Sequence, residues 1–553
     1  MTQENYNNTF QVDLQYCVLF NYLNAPENIE VIVDSIDIGY DLFQNAINCK
    51  IQVTDPAAFL ENFPIIGDET LVLGFKTPLL EINPTITKFD KLLTFVFRIY
   101  RIEDRKQTAN RASLYTLYGI SSEAINNMRY SVNRTYYDWR GENVVQDIYD
   151  NYLKPSPIEY DLIKQVDETA SGKKLKRLPS GENICLNFSN FRPLDAINRV
   201  CFETQDIDNT LVTQKIKYNS NASSNTQFQQ PPKKEYTVDI TERTKSTKSS
   251  NFIFYENDDG WNFVTIDHLL YRDRTLIDGG GLVQDFYFLD SRVDPSTSKS
   301  IFGKNIRQDQ RILELNFIRQ MDNAENMDRG LYSSTLVSLD PLTKRIEFDP
   351  FIYDRDYKDI AHLETDLEGP QRVGIFSETS LYTESKVNNH KTKCDEFQHK
   401  NYVITNLGPE YDDTDGVFKN ARARDHQLRN PKKFHEFLKY DYASKVQFNN
   451  IIISFTIPGN SDIQIGHMVN LNILSNNIDD FEQKQLYNRL FGNENFGGFF
   501  LVTKVNHTIL FANKSYVTEI ECVKDTYATT KFRDTDKVTA RRREVQTQVD
   551  TFG

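Results

Sequence analysis

The segment around residue 390 carries side chains that could bind a metal ion. His390, Cys394 and His399 lie close together, with Asp395 and Glu396 between them. Zinc is bound in proteins by imidazole nitrogen and thiolate sulfur, usually with four ligands in all. A fourth ligand is not apparent near these residues, and the surrounding stretch is polar. The sequence therefore predicts a solvated loop here, and we expect no metal and no cofactor.

Acidic residues are the second group that could support chemistry. Glycoside hydrolysis needs two carboxyl groups at a defined separation inside a cleft. Neighbouring pairs such as Asp349 with Asp354, and Asp412 with Asp413, carry little information because the chain has 78 acidic residues. The sequence contains neither a GxSxG nor an HExxH pattern. We therefore expect no catalytic residues and no enzyme activity.

Glycine and arginine clusters also lack the pattern of a nucleotide site or a nucleic-acid site. Gly67 and Gly466 each precede a strand-like run, where glycine permits a tight or left-handed turn. The run Gly279–Gly281 lacks the Lys-Ser/Thr pair of a phosphate-binding loop. The basic run Arg541–Arg543 is most simply a solvated tail. The glycines are thus interpreted as structural turns.

Composition places the chain among large folded proteins that do not bind nucleic acid over a broad face. It has 553 residues, and its 37 Phe and 29 Tyr can fill several cores. The net charge of −14 argues against a broad phosphate-binding surface, which needs clustered Lys and Arg. Six cysteines without a CxxC pair fit reduced packing thiols. The polar start, Met1–Phe10, and the lack of an apolar run of roughly 18 residues predict folding in a cytosol.

Strand-like segments at both ends of the chain flank a middle with helical periodicity. Residues 31–120 and 446–525 contain β-branched and aromatic runs with partial alternation. Between them, Val144 to Leu153 and Leu194 to Cys201 carry apolar residues at helical spacing. Pro155 blocks continuation of the first stripe, and Pro193 suits the first turn of the second. The pattern predicts a mainly β chain with an inserted α+β module.

A weak internal repeat links the two ends of the chain. Five apolar positions of an N-terminal hairpin have apolar counterparts in a C-terminal hairpin, and the offset between the members of every pair is 403 positions. The pairs are Phe97 with Phe500, Ile99 with Val502, Ile102 with Val505, Leu114 with Val517 and Leu117 with Ile520. Chance alternation in two β hairpins would give a similar pattern, so duplication and coincidence both remain open. A true duplication would place two similar barrels in one chain, and six in a trimer.

Six segments, in order along the chain, resemble the central baseplate hub proteins of contractile-tailed bacteriophages. Relatives of that family are the late-control tail proteins and the spike-base proteins of type VI secretion. The segments are Phe63–Phe75, Gly141–Ile148, Phe191–Asn198, Phe252–Phe263, Ile457–Gly466, and the hairpin Gly497–His507 with Tyr516–Asp525. The chain departs from the compact family pattern at 218–250 and 361–445.

The resemblance implies two tube-like antiparallel β-barrels that flank an inserted mixed module. The expected divisions are a first barrel at 1–124, a mixed helical module at 125–217, a polar loop at 218–250, a mixed β module at 251–360, a polar insertion at 361–445, a second barrel at 446–528 and a tail at 529–553. The residues expected to shape the turns and the start of the second barrel are Gly67, Asp68, Glu69, Pro458, Gly459 and Gly466. Those expected in the barrel hairpins are Phe97, Ile99, Leu117, Phe500, Val502 and Ile520.

The resemblance also implies an assembly function in the virion tail baseplate. A homotrimeric ring would connect a central spike to the six-fold tail tube or its initiator proteins, with baseplate wedge proteins as further candidate partners. DNA would only pass through an axial channel, membrane association would not be stable, and assembly would occur in the host cytoplasm. The alternative is a virion-associated cell-wall hydrolase, which clearing of peptidoglycan by the chain would reveal.

A channel for DNA predicts a polar strand face without adhesive basic patches. The alternating strands offer polar candidates whose orientation the sequence leaves open. They are Arg98, Tyr100 and Thr116 in the first hairpin, and Thr503, Lys504, Thr518 and Glu519 in the second. We expect a neutral or negative channel surface.

Overall fold

The computed structural model describes seventeen ranges of the chain between residues 12 and 525. The described residues are 12–56, 59–77, 92–107, 112–167, 173–180, 183–204, 251–275, 284–288, 310–320, 322–340, 345–356, 359–363, 400–405, 434–448, 450–473, 497–511 and 515–525. Several predicted features lie outside them: the polar loop 218–250, Gly279–Gly281, the His390/Cys394/His399 group, Asp412 with Asp413, and Arg541–Arg543.

The N-terminal part is formed by strands, as its β-branched and aromatic residues predict; β4 alternates between buried and more exposed side chains, whereas β5 is buried along most of its length. The strands are β1 Asp13–Phe20, β2 Pro26–Asn28, β3 Val33–Asp41, β4 Asn48–Asp55, β5 Thr70–Lys76, β6 Leu93–Gln107 and β7 Ser113–Ser121. A short 3-10 helix, Glu30–Ile32, and helix α1, Phe59–Asn62, connect them.

A mixed module follows, and its helices obey the proline signals in the sequence. Its elements are α2 Ser122–Arg129, β8 Val132–Arg140, α3 Gly141–Ile148, a π-helical turn Tyr149–Leu153, α4 Pro157–Val166, β9 Lys174–Arg177, β10 Asn183–Phe191 and α5 Pro193–Glu203. Pro157 and Pro193 each lie in the first turn of a helix, where the missing N–H needs no partner. One hydrophobic core, which includes Val144, Ile148 and Trp261, holds the module together.

The middle of the chain contains short strands and helices. They are β11 Phe252–Asn257, β12 Gly260–Thr265, α6 Ile266–Thr275, β13 Gln284–Phe288, β14 Arg311–Ile312, β15 Glu314–Arg319, α7 Asn323–Asp328, β16 Ser333–Asp340, β17 Arg345–Ile352, α8 Tyr353–Asp356, β18 Lys400–Thr405 and α9 Phe434–Gln447. Strands β19 Ile451–Pro458, β20 Met468–Ile473, β21 Gly498–Leu510 and β22 Ser515–Lys524 complete the described chain. The prediction of a mainly β fold is confirmed.

Strands from both ends of the chain share one large sheet. Its order is β14-β13-β20-β21-β3-β4-β7-β6-β5-β1-β2, with β22 also paired to β21, β19 to β22 and β15 to β19. The link between the two ends is β3, which pairs antiparallel with β21 from Ser35 opposite Leu510 to Asp41 opposite Lys504. A single hydrophobic core lies on one side of these strands and contains residues from both ends.

The C-terminal strands pair in two series that share β20. Antiparallel pairs run from β20 through β21, β22 and β19 to β15. Only Leu313 separates β15 from β14, and its N–H donates to the carbonyl oxygen of Thr456 at 2.8 Å. Strand β14 pairs in parallel with β13, which pairs in parallel with β20. Strands β14 and β15 are joined by the chain through Leu313 and not by strand pairing, so the described pairs form two series that meet at that residue.

Candidate assembly face

The two hairpins of the sequence repeat have the same strand register. Hairpin β6–β7 and hairpin β21–β22 place equivalent residues opposite each other, again 403 positions apart. The matching pairs are Ile99–Gly119 with Val502–Cys522, and Ile102–Leu117 with Val505–Ile520. The preceding strand also matches, because Leu71 lies opposite Phe97 as Val469 lies opposite Phe500.

Both hairpins also carry a β-bulge at the same position. The register of β6 shifts between Ile99 and Arg101, and that of β21 shifts between Val502 and Lys504. A bulge bends its strand and increases the local twist, so it fixes the shape of the hairpin. Alternating hydrophobicity alone would not reproduce a bulge at the same position. We call β3 to β7 the first unit, and β15 with β19 to β22 the second unit.

The predicted turn before β5 is closed by one of its own side chains. Gly67 has a φ of 100°, in the left-handed region that favours glycine. The buried carboxylate of Glu69 accepts hydrogen bonds from the backbone N–H groups of Ile66, Gly67 and Asp68, at 2.8, 2.8 and 3.1 Å. The Glu69 carboxylate thus occupies the site that these three N–H groups form, which indicates that the turn has a structural role.

The corresponding turns of the second unit are tightly packed. Gly466 has a φ of 79°, and a Cβ there would lie 2.8 Å from the hydroxyl of Tyr255. Pro458 ends β19, and the N–H of the following Gly459 donates to the carbonyl oxygen of Tyr516 at 2.9 Å. The ring of Tyr516 covers Gly459 so closely that a Cβ would overlap it.

The hairpin residues predicted from the sequence all lie in the shared core. Each of them is at most 1% exposed: Phe97, Ile99, Leu117, Phe500, Val502 and Ile520. Deeper in this core, aromatic rings join the two units where β3 meets β21. The ring of His507 lies edge-on to Tyr40 with centroids 5.6 Å apart, and its Nδ1 is 2.9 Å from the Tyr516 hydroxyl. Burial lowers the pKa of His507 to about 3, so this imidazole is neutral.

The opposite side of the joined strands presents a mainly polar surface, interrupted on β7 by Tyr118 and the exposed Leu114. Cross-strand partners point to the same face of a sheet, so the register defines its members. We call these residues the assembly face: Glu314 and Asn316 on β15, Ser454 and Thr456 on β19, Glu519 and Glu521 on β22, Lys504, Asn506 and Thr508 on β21, Asp37 and Asp41 on β3, Lys50 and Gln52 on β4, and Arg101, Glu103 and Lys106 on β6. All are partly or fully exposed.

Acidic and basic side chains alternate on the assembly face. Lys504 forms an ion pair with Glu521 at 2.9 Å, and Arg101 forms one with Glu103 at 3.3 Å. Across the junction of the two units, the Thr508 hydroxyl donates to the Asp37 carboxylate at 2.8 Å. These neighbours interrupt any run of positive charge along the described strands, so the face lacks the Lys/Arg clustering that phosphate binding needs.

The structure separates the seven polar residues proposed for a channel lining. Tyr100, Lys504 and Glu519 are exposed, whereas Thr503 and Thr518 are buried. Thr518 lies opposite His507 and therefore points into the core, so it is not one of the residues on the polar side. Thr116 belongs to the polar side by register but is buried, and Arg98 forms ion pairs with Asp68 and Glu159.

A buried charged cluster, not found from the sequence, ties the mixed module to the first unit. The Lys173 ammonium group lies 3.2 Å from Glu123 and also bonds Glu256. Trp261 Nε1 donates to Glu123 at 3.0 Å, and the N–H of Ile47 donates to Glu256 at 3.1 Å. Burial lowers the pKa of Lys173, but the two carboxylates outweigh it and raise that pKa above its ordinary value. No motif marks these residues, because they are distant in sequence.

Other polar groups serve as structural contacts. Asp349 accepts a hydrogen bond from Lys439 at 2.6 Å, which ties β17 to α9. Within the described ranges, no group of three or more His, Cys, Asp or Glu residues could hold a metal ion. None of the helices in the described residues has both the length and the apolar character needed to cross a bilayer.

Comparison with known proteins finds similarity in structure alone. No family model matches the sequence, and no curated protein matches it. A tail protein from Neisseria meningitidis is 7% identical with a TM-score of 0.44, covering 93% of this chain and 97% of that one. A prophage 43 kDa tail protein from Shewanella oneidensis is 6% identical with a TM-score of 0.39, covering 92% and 97%. An Escherichia coli component of the type VI secretion system is 9% identical with a TM-score of 0.32, covering 93% and 76%.

Proposed function

We propose that the chain is the structural hub of a contractile-tail baseplate and that it works as a homotrimeric ring. The ring would connect a central spike to the six-fold tail tube or its initiator proteins. Its role is assembly without catalysis, and its location is the virion tail. The six sequence segments that resemble the baseplate hub family support this proposal.

The observation that carries the proposal is the duplicated unit. Both copies share a strand register and a β-bulge, and β3 joins them edge to edge with β21. One chain therefore offers two equivalent β units side by side, each proposed to be a tube-like barrel. Three such chains arranged in a ring present six equivalent units, which matches a six-fold partner. A hub between a three-fold spike and a six-fold tube needs this property.

The assembly face would line the axial channel. It is polar on both units and continuous across their junction, as a surface in contact with water requires. Its ion pairs keep basic side chains next to carboxylates, which weakens attraction for passing DNA. The hydrophobic core on the other side of the sheet is left to hold each unit together.

Sedimentation equilibrium of the purified chain at micromolar concentration tests the ring. We expect a species of three times 64.4 kDa, and electron-microscopy class averages should show a ring with six similar lobes around a hole. A chain that stays monomeric, both alone and with its spike protein, would contradict the proposal.

Zymography on peptidoglycan tests the alternative of a cell-wall hydrolase. Two of the buried carboxylates, Glu123 and Glu256, are engaged in bonds that join the mixed module to the first unit. We therefore expect no clearing by the purified chain. Clearing that persists through purification to homogeneity would favour the enzyme.

A further inference from the structure

Strand β6 has an edge that corresponds to an occupied edge in the second unit. In β21, residues Lys504–Leu510 pair with β22 on one side and with β3 on the other. The equivalent residues of β6, Arg101–Gln107, pair with β7 on one side. In the described chain no strand lies along their other side, because β5 ends its pairing at Arg98.

The occupant of this edge can be deduced from the repeat. The strand that fills it in the second unit is β3, and the counterpart of β3 in the second unit is β15. This equivalence follows from pairing, since Ile36 and Ile38 lie opposite β4 as Leu315 and Phe317 lie opposite β19. Within one chain β15 cannot perform this role, because β19, β22, β21, β3, β4 and β7 separate it from β6 in the sheet.

We propose that β15 of a second copy of this chain pairs antiparallel with Arg101–Gln107 of β6, repeating between chains the β3–β21 junction that joins the two units within one chain. This inference rests on the proposed ring. The resulting contact is head-to-tail, and such contacts close into rings when the rotation permits. Main-chain pairing along an edge also supplies affinity without demanding a particular sequence.

The lengths of the two strands match in this arrangement. Relative to β21, β6 has one extra residue between Glu103 and Lys106, where the register shifts and Asp104 has a φ of 56°. Relative to β3, β15 also has one extra residue, between Phe317 and Arg319. Transferring the β3–β21 register places these two irregularities opposite each other. The register is therefore preserved on both sides of them.

The transferred register also pairs opposite charges. In the internal junction Asn506 lies opposite Gly39. Glu103 is the residue of β6 equivalent to Asn506, and Arg319 is the residue of β15 equivalent to Gly39, so these two would face each other between chains. Lys106 would lie opposite Asn316, with Glu314 as its diagonal neighbour. Opposite charges at facing positions of antiparallel strands favour that register over its alternatives.

A disulfide between chains tests this joint. By analogy with Thr508 and Asp37, Lys106 and Asn316 form a directly facing pair, within the Cα separation of about 4.4–6.8 Å that a disulfide bridges. Both residues are exposed on the assembly face. The variant Lys106→Cys with Asn316→Cys should form covalent dimers and trimers under mild oxidation, seen on non-reducing gels. The described cysteines of the wild type are free thiols. The wild-type protein, oxidised in the same way, therefore measures any cross-linking through those native cysteines.

A matched control uses Gln52→Cys with Asn316→Cys. Gln52 is exposed on the same face but lies on β4, two strands from β6 and therefore about 10 Å farther from the joint. We expect at least tenfold less cross-linking from it. Equal cross-linking in both variants, or none in a protein that sediments as a trimer, would overturn the joint and leave the ring standing. A monomer without cross-links would overturn both.

Charge reversal gives a second measure that does not depend on oxidation. Glu103→Arg and Arg319→Glu should each raise the dissociation constant of the trimer about tenfold. The double variant should recover the part of the loss that comes from the joint, because that pair is restored with its signs exchanged, whereas the pairs Arg101–Glu103 and Arg319–Glu325 within each chain stay broken. Single reversals that leave the trimer unchanged would contradict this register.

Discussion

Replacing Lys173 by methionine should weaken the attachment of the mixed module to the first unit. The Lys173 ammonium group compensates Glu123 and Glu256, whose side chains are both fully buried. Removing one partner of a buried ion pair costs about 3–5 kcal/mol, because the remaining charge is left without compensation. Lys173 itself is 21% exposed, so water reaches the site and reduces the loss. We expect a destabilisation of about 3 kcal/mol at pH 7.

The tryptophan beside the cluster provides the assay. Trp261 donates a hydrogen bond to Glu123 and is one of two tryptophans in the chain, so its emission reports on this contact during unfolding in urea. Lys176→Met is the matched control, since Lys176 forms an exposed ion pair with Asp259 at 3.3 Å. Exposed pairs contribute about 0–1 kcal/mol, so the control should unfold almost as the wild type does. Equal midpoints for the two variants would refute the reasoning.

The loss in Lys173→Met should also depend on pH. Burial raises the pKa of Glu256, and the attraction of Lys173 opposes that rise. Without the ammonium group the pKa rises further, and the folded state takes up a proton more readily than the unfolded state. The stability from that proton is present in full below the unfolded pKa of about 4.3 and is lost as the pH rises through the folded pKa. The deficit should therefore shrink between pH 7 and pH 5, and a constant deficit would exclude this cause.

Three further predictions concern the turns, the core and the assembly face. Gly466→Ala should cost about 1–3 kcal/mol, and more than Gly67→Ala, because both have positive φ but only Gly466 has an atom close to the new Cβ; equal unfolding midpoints would show that packing at Tyr255 adds nothing. Burial lowers the pKa of His507 to about 3, so its contribution to stability is complete above the unfolded pKa of about 6.5 and is lost as the pH falls toward 3. The slope of stability against pH between 6.5 and 5 should therefore be smaller in His507→Gln, and an unchanged slope would contradict the assignment. The wild-type trimer should bind duplex DNA weakly at physiological salt, whereas Asp37→Lys with Glu519→Lys and Glu521→Lys should create salt-sensitive binding, measured by fluorescence anisotropy; tight binding by the wild type would contradict a non-adhesive face.

Much of the secondary structure could be predicted because it depends on local patterns. The helical stripe from Val144 ends before Pro155, and Pro157 and Pro193 begin helices as their fixed φ favours. The offset of 403 residues between the hairpins was also visible from apolar positions alone. What those positions could not provide was the shared bulge, because a bulge is defined by the partner strand and not by the residues of one strand.

The orientation of the polar strand residues could not be predicted from the sequence. Thr503 was a polar candidate of open orientation, and it is buried at the bulge of β21, where one extra residue changes which side chains point to each face. Thr518 lies opposite His507 and follows it into the core. Polarity alone does not reveal which face of a strand a threonine occupies, because a shift of one residue exchanges the two faces.

The mainly β composition, the helical insertion, the turn glycines and the two similar hairpins could all be predicted from the amino-acid sequence, because each depends on residues close together in the chain. The folded structure was needed to find that β3 and β21 join the two ends in one sheet, and that Lys173, Glu123 and Glu256 meet in one cluster. These contacts join residues separated by long stretches of chain. They depend on which strand edges and buried charges find partners in the folded protein, and no local pattern encodes that choice.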